Sequence, residues 1–260
     1  MLNRGQRAEL KSPDQIQSMR RAGAVVAQAL QGVVEATRPG ITTAELNDVA
    51  HEVMRRAGAT PSFLGYHGFP AVICTSVNEE VVHGIPGARK LAAGDLLSVD
   101  CGAIVDGWHG DAAVTIAVGE VSAEAAGLSE ATRAALWAGL ARAQVGGRLS
   151  DIGHAIEREV RSHGDYGIVE EYVGHGIGSS MHMYPPVPNF GEPGRGIRLR
   201  PGLALAIEPM VTLGSREVCV LSDGWTVITE DHRWAAHWEH TVAVTQEGPW
   251  VLTAIDEVRL

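Results

Sequence analysis

Acidic residues and histidines recur along this 260-residue chain at spacings that suit divalent metal ions. The strongest local run is Leu96-Leu-Ser-Val-Asp100-Cys-Gly-Ala-Ile-Val-Asp106-Gly107-Trp-His-Gly-Asp111. Asp106-Gly107 is a two-residue type I′ hairpin signal between two runs of β-formers. With those two residues as the loop, Val105 pairs with Trp108, and counting back sets Gly102 opposite Asp111. Side chains alternate faces along a strand. Ser98, Asp100 and Gly102 therefore share a face with Asp111, while Leu97, Val99 and Cys101 point the other way. Asp100 and Asp111 become diagonal neighbours, roughly 5–8 Å apart at Cβ, with Gly102 expected to leave space between them. Two carboxylates held so close stay ionised together only with cations between them. Taken alone, the pair fits a solvated hairpin face equally well.

Further donors shift that balance. Tyr172-Val-Gly-His175-Gly-Ile-Gly-Ser-Ser-Met-His182 sets two histidines among glycines, where backbone can approach an ion or a substrate closely. Leu203-Ala-Leu-Ala-Ile-Glu208-Pro209 puts a carboxylate at the end of an apolar strand, and Glu239 opens another strand in His237-Trp-Glu239-His-Thr-Val-Ala-Val. A buried glutamate needs a partner, which can be a metal or a structural salt bridge. Asp100, Asp111, His175, Glu208 and Glu239 together make four carboxylates and one imidazole. That donor set suits Mn²⁺, Fe²⁺, Co²⁺ or Zn²⁺ in a paired site, since four negative charges roughly balance two dications and a bridging hydroxide.

These residues must be positioned by elements that are themselves legible. Ser12, Pro13 and Gln15 form a capping box that starts a helix, and Pro39-Gly40 lies beyond its end. Thr42 and Glu45 form a second box, opening a helix that stops near Gly58. Ala71 to Gly119 reads as strands and turns. Helical pattern returns over about Ser129–Val145 and Ser150–His163, and the remainder to Leu260 is mostly strand and loop. Gly40-Ile-Thr-Thr-Ala-Glu-Leu and Gly147-Arg-Leu-Ser-Asp-Ile-Gly each lead from a glycine into a helix start. At the same offset of 107, Glu52-Val53 matches Glu159-Val160. The expectation is an α+β fold, a single catalytic domain over 1–260. It has a polar tail at 1–11 and two pseudo-two-fold halves, about 12–120 and 121–260, each with helices on antiparallel sheet and the site at the seam. Chance similarity between two helix pairs is the alternative.

Composition narrows the classes. An apolar fraction of 45% is ordinary for a globular chain, and no run approaches the ~20 apolar residues of a membrane span. Met1 to Lys11 is polar, with Arg4, Arg7 and Lys11, and has no apolar stretch of a secretory signal. A net charge of -10 argues against a general nucleic-acid binder but leaves room for a local basic patch that docks transiently on the ribosome. Cys74, Cys101 and Cys219 are too few and scattered for a disulfide framework and fit a reduced, cytoplasmic compartment.

Six motifs resemble the type I methionine aminopeptidases, of pita-bread fold, in family order and spacing over nearly the whole chain. They are Gly65-Tyr66-His67-Gly68-Phe69-Pro70, Asn78-Glu79-Glu80-Val81-Val82-His83-Gly84-Ile85-Pro86, Asp100 with Asp111, Gly174-His175-Gly176-Ile177-Gly178, Ile207-Glu208-Pro209 and Glu239-His240-Thr241. The resemblance implies two divalent ions per chain. Asp100 would chelate one, His175 and Glu208 the other, and Asp111 and Glu239 would bridge both. It implies removal of the initiator methionine from nascent polypeptides with a small second residue. A bridging hydroxide would be the nucleophile and Glu208 the general base, with His83 and His182 flanking the scissile amide. Phe63, Tyr66, Phe69, Cys74, Met181 and Trp225 would wall the methionine pocket, where rings and sulfur suit a thioether. Core packing is the plainer explanation of each. The resemblance also implies a monomer without membrane or specific nucleic-acid partners.

Only 30 residues separate Glu208 from Glu239, without the long insertion of the type II branch, and the short N-terminus lacks the extension of some type I members. Three positions depart from the pattern. Met181 stands where an aromatic is common, Met183-Tyr184 follow His182 where an acid is usual, and His237-Trp238 precede Glu239 where glutamine and a smaller aromatic are usual. If that last segment is extended, His237 shares a face with Glu239 and joins the substrate contacts. Two other readings share the fold. An Xaa-Pro peptidase would carry a large N-terminal domain, and a non-catalytic binding protein would have lost ligands, whereas all five are present.

Overall fold

The computed structural model describes residues 7–256 and 258–260. Of the polar tail expected over 1–11, Met1–Gln6 lie outside the described residues. Helix α1 spans Pro13–Ala36. Its capping box is closed both ways, with the Gln15 N–H donating to Ser12 Oγ (3.3 Å) and the Ser12 N–H donating to Gln15 Oε1 (2.8 Å). Helix α2 spans Thr43–Arg56 and repeats the device with Thr42 and Glu45. Such caps contribute about 1 kcal/mol each by satisfying N–H groups that a helix start leaves free. Helix α2 buries Leu46, Ala50 and Met54, four residues apart, against α1.

Helices α3 and α4 cover Ala123–Leu140 and Leu149–His163. The sequence pattern sets the start of α3 near Ser129, six residues late. Ser122 is the true N-cap, its side chain accepting the Ala125 N–H at 3.1 Å, and the small residues that follow obscure the apolar period. The pattern also runs past the end. Arg142 and Ala143 donate to carbonyls three residues back rather than four, so the last turn tightens and the helix stops before Val145.

A ten-stranded sheet carries the site. Its main order is Thr60–Pro61, Leu96–Val105, Trp108–Ala117, Glu239–Thr245, Ala204–Ile207, Gly174–Gly176 and Met183–Val187. Ile73–Val77 pairs with Leu96–Val105, and Gly248–Val251 with Glu239–Thr245. These pairings are antiparallel, as expected for an α+β fold. The central hairpin has the register read from its turn, with Val105 opposite Trp108 and Gly102 opposite Asp111. Asp106 and Gly107 both have positive φ, 51° and 78°, as a type I′ turn requires.

Alternation then divides the sheet into two faces. Leu97, Val99, Cys101 and Ala112 are fully buried in a core with α1 and α2. Further along the sheet, Leu205, Ile207, Val242 and Val244 are buried with α3 and α4. Each helix pair thus covers its own stretch of the sheet. Two three-stranded sheets adjoin it. One joins Ala235–His237, Met210–Thr212 and Gly167–Ile168; the other joins Val218–Val220, Val227–Thr229 and Glu80–Val82. Ile168, Val211 and Ala236 of the first share the core of α3 and α4. Among the described residues no helix is long and apolar enough to cross a membrane.

Candidate metal centre and its cavity

The strand register brings the five expected donors to one face. Asp100 lies opposite Ala113, and Ala113 lies opposite Glu239 on its other side. Asp111 is two residues from Ala113 and so shares its face. Thr241, two beyond Glu239, pairs with Ala206, which pairs with His175. Glu208 follows two residues after Ala206. Asp111, His175 and Glu239, all buried, offer one ligand atom each within 4.8 Å of one another. His175 Nε2 is 3.6 Å from Glu208 Oε1, and Asp100 faces the same cavity.

Several contacts fix these groups. The Thr241 hydroxyl donates to the Asp111 carbonyl (2.8 Å) and accepts the Asp111 N–H (3.0 Å). Asn189 Nδ2 donates to the Glu208 carbonyl at 3.0 Å. His175 Nδ1 lies 3.0 Å from the Gly176 carbonyl, which can only accept, so Nδ1 carries the proton and Nε2 presents its lone pair. The space expected beside Gly102 is filled. A Cβ there would sit 2.8 Å from Phe63 Cε1 and 2.9 Å from Ser62 Cβ, so this glycine admits an aromatic ring to the cavity wall.

The electrostatics call for cations. Burial, above all, raises Asp100 to about 7 and raises Asp111, Glu208 and Glu239 well above the carboxylate range; the neighbouring carboxylates push those three further up. Asp100 Oδ1, Asp111 Oδ1 and Glu239 Oε1 are buried without a hydrogen-bond partner among the described residues. Orphaned anionic oxygens converging with an imidazole lone pair fit divalent ions. Burial also lowers His175 to about 4, leaving its imidazole neutral and free to ligate.

The donors line one end of a cavity of about 360 Å³. Phe63, Tyr66, Phe69, Met181 and Trp225 line the other, and Cys74, which pairs with Asp100 in the sheet, lies where the two meet. Phe69 meets Trp225 edge to face, with centroids 5.1 Å apart. Trp225 is set by Asp223, whose carboxylate accepts the backbone N–H groups of Trp225 (2.8 Å) and Thr226 (2.9 Å). His83 follows directly on the Glu80–Val82 strand and lies edge to face with Tyr172 (5.5 Å). Burial is the main cause that lowers it to about 4, so it is a neutral hydrogen-bonding group at neutral pH. His182 is exposed at the rim, with Nδ1 2.9 Å from the Tyr66 hydroxyl and its ring 4.3 Å from that of His175.

His237 lies elsewhere than its expected place among substrate contacts. Its strand, Ala235–His237, pairs with Met210–Thr212 in a small sheet rather than continuing the face of Glu239. The residue is 1% exposed and absent from the cavity wall, with Nε2 3.7 Å from Glu208 Oε2. Its backbone is held by Ser98 and Thr115, whose hydroxyls accept its N–H at 3.2 and 3.0 Å. Sequence reasoning assigned no part to His67, which lines the cavity, or to Thr241 and Asn189. Thr241 leaves a usable signal, a hydroxyl two residues beyond Glu239 and so on the ligand face of its strand. Asn189 leaves none.

Residues 17–246 match the model of metallopeptidase family M24. The chain is 55% identical over 249 residues to methionine aminopeptidase 1 of Mycobacterium tuberculosis, covering 94% of each chain. It is 47% identical to methionine aminopeptidase 1 of Bacillus subtilis, covering 94% of this chain and 98% of the relative. The crystal structure of a methionine aminopeptidase from Thermotoga maritima superposes with a TM-score of 0.93 at 42% identity, covering 95% of this chain and all of that one. A prolidase from Pyrococcus furiosus shares the fold, with a TM-score of 0.76 at 21% identity over 95% of this chain and 66% of its own. The chain belongs to metallopeptidase family M24, in its methionine aminopeptidase branch.

Proposed function

We propose that the chain hydrolyses the peptide bond after an N-terminal methionine, on nascent proteins and peptides whose second residue is small. The observation that supports this most is one cavity with five converging metal donors at one end and an aromatic and sulfur-containing wall at the other. Its volume, about 360 Å³, has room for a methionine side chain beside the metal donors. Asp100 would hold one divalent ion and His175 with Glu208 a second, with the central pair Asp111 and Glu239 shared. Bound there, the ions supply a Lewis acid and a water acidic enough to lose its proton near neutral pH.

The remaining chemistry falls to side chains of this chain. The Glu208 carboxylate accepts the proton of the attacking water and returns it to the departing amine. Asn189 holds its backbone during this transfer. His182, at the rim, hydrogen-bonds the oxygen on which negative charge develops. His83 hydrogen-bonds the scissile amide nitrogen. The apolar wall aligns the methionine side chain and excludes water from the reacting bond. Hydrolysis of Met-Ala-Ser and Ala-Pro by the purified chain, across Mn²⁺, Fe²⁺, Co²⁺ and Zn²⁺, tests this reading. Release of methionine from Met-Ala-Ser alone is expected. Preferred cleavage of Ala-Pro would overturn it.

A further inference from the structure

The Ile177–Met181 loop joins His175 to His182 and must hold an exposed imidazole over the cavity. The N-terminal segment grips that loop. Ser179 Oγ donates to Glu9 Oε2 at 2.7 Å. The Lys11 side chain, only 1% exposed, lies against Gly178: a Cβ at that glycine would fall 2.3 Å from Lys11 Cε and 2.7 Å from Nζ. Lys11 Nζ donates to the Glu9 carbonyl (3.3 Å) and stands 3.6 Å from Glu9 Oε1, a buried oxygen without a hydrogen-bond partner. The segment is itself anchored, since the Lys11 N–H donates to the Gly202 carbonyl (2.8 Å) and Leu10 bridges Leu203. From the opposite side, the His109 N–H donates to the Gly178 carbonyl at 2.9 Å.

A buried ammonium beside a half-exposed carboxylate is a poor source of stability, because desolvation of the ammonium offsets much of the attraction. It does fix geometry, because each charge ties the other to one place. We infer that Glu9 and Lys11 are positioning residues for His182, a clamp from outside the cavity that holds the Ile177–Met181 loop at one height over the site. The inference rests on the proposed role of His182 toward substrate. Glu9 acts through Ser179, and Lys11 acts by fixing Glu9 and covering Gly178. Removing the Lys11 charge leaves the inaccessible Glu9 Oε1 without its cation, so the half-exposed carboxylate swings toward water and releases Ser179.

The full-length chain with Ser179→Ala, Ser179→Thr, Glu9→Gln and Lys11→Met tests the clamp. Ser179 is exposed, so Ser179→Ala folds even if Lys11→Met does not. In Ser179→Ala and Glu9→Gln, amide exchange over residues 177–182 is expected to quicken by about 10-fold while the Ala204–Ile207 strand keeps its protection. The His182 ring proton resonances shift. In the Mn²⁺-loaded enzyme, kcat on Met-Ala-Ser falls about 5–10-fold with KM within about two-fold, as misplacement of a transition-state contact predicts. Manganese stoichiometry stays unchanged, and Ser179→Thr, which keeps the hydroxyl, restores exchange and kcat. Unchanged loop exchange and His182 resonances in both Ser179→Ala and Glu9→Gln would overturn the clamp, as would an unchanged kcat in a loop that exchanges faster. A wild-type chain that cleaves no Met-Ala-Ser with any metal defeats the functional reading instead, and the exchange and resonance measurements still decide whether the clamp exists.

Discussion

The two ends of the cavity are built on opposite physical terms. At the donor end, Asp100, Asp111, Glu208 and Glu239 crowd charge where burial disfavours it, and one oxygen each of Asp100, Asp111 and Glu239 lacks a hydrogen-bond partner among the described residues. At the other end, Phe63, Phe69 and Met181 sit in an ordinary apolar cluster. The donor end lowers the stability of the metal-free fold and the apolar end raises it. Substitutions should therefore separate activity from stability, depending on which end they touch.

The sharpest test is Glu239→Ala. It removes a central donor, and turnover should fall by at least about 10³-fold, which corresponds to about 4 kcal/mol of lost transition-state stabilisation. Metal titration should show weaker or single-ion binding, while folding is preserved because a buried charge has gone. Near-normal turnover at saturating metal would defeat a paired site.

Metal removal should expose the same conflict as a pH dependence. Asp100 has a folded value of about 7 against an ordinary 3.8, so between those pH values the unfolded state has lost a proton that the folded state keeps. The stabilisation is fully present below 3.8 and is lost as pH rises to about 7, a change of a few kcal/mol. Chelated protein should thus lose Tm between about pH 4 and 7, and metal-loaded protein should not. Parallel melting curves would show that the carboxylates are not in conflict.

At the apolar end, Phe69→Ala should reverse the pattern. The ring is 3% exposed and packs on Trp225, and its loss should cost about 3 kcal/mol of stability. KM for Met-Ala-Ser should rise about 10-fold with a smaller change in kcat, since this wall binds methionine alike in ground and transition states. A fall in kcat at constant KM would contradict that division.

Thr241→Val should be smaller still. It leaves an Asp111 N–H and carbonyl without their hydroxyl partner and should cost about 1–2 kcal/mol, with metal affinity down about 10-fold. An unchanged metal dissociation constant would show that the strand alone holds Asp111. Smallest is His237→Gln. His237 touches Glu208 but not the cavity, so kcat/KM should change by no more than about three-fold. Complete loss with both metals retained would give His237 a catalytic part.

What the sequence determined by itself is mostly local. Two capping boxes, one type I′ turn and strict two-residue alternation suffice to place Asp100 and Asp111 on one face and Leu97, Val99 and Cys101 on the other. Each of these signals is complete within a dozen residues, and each is enforced by backbone geometry. Family motifs bring Glu239 and His175 into one ligand set with the aspartates, but the pairing of Glu239 with Ala113 and of His175 with Ala206 comes from the tertiary structure, because nothing in either strand names its neighbour. The tertiary structure alone decided three further things. It put Phe63 into the space at Gly102, it moved His237 to a second sheet beneath Glu208, and it brought Glu9 and Lys11 against the loop of His182. Each depends on which surfaces of distant segments are left uncovered once the helices have packed, a property of the whole assembled chain that no local spacing encodes.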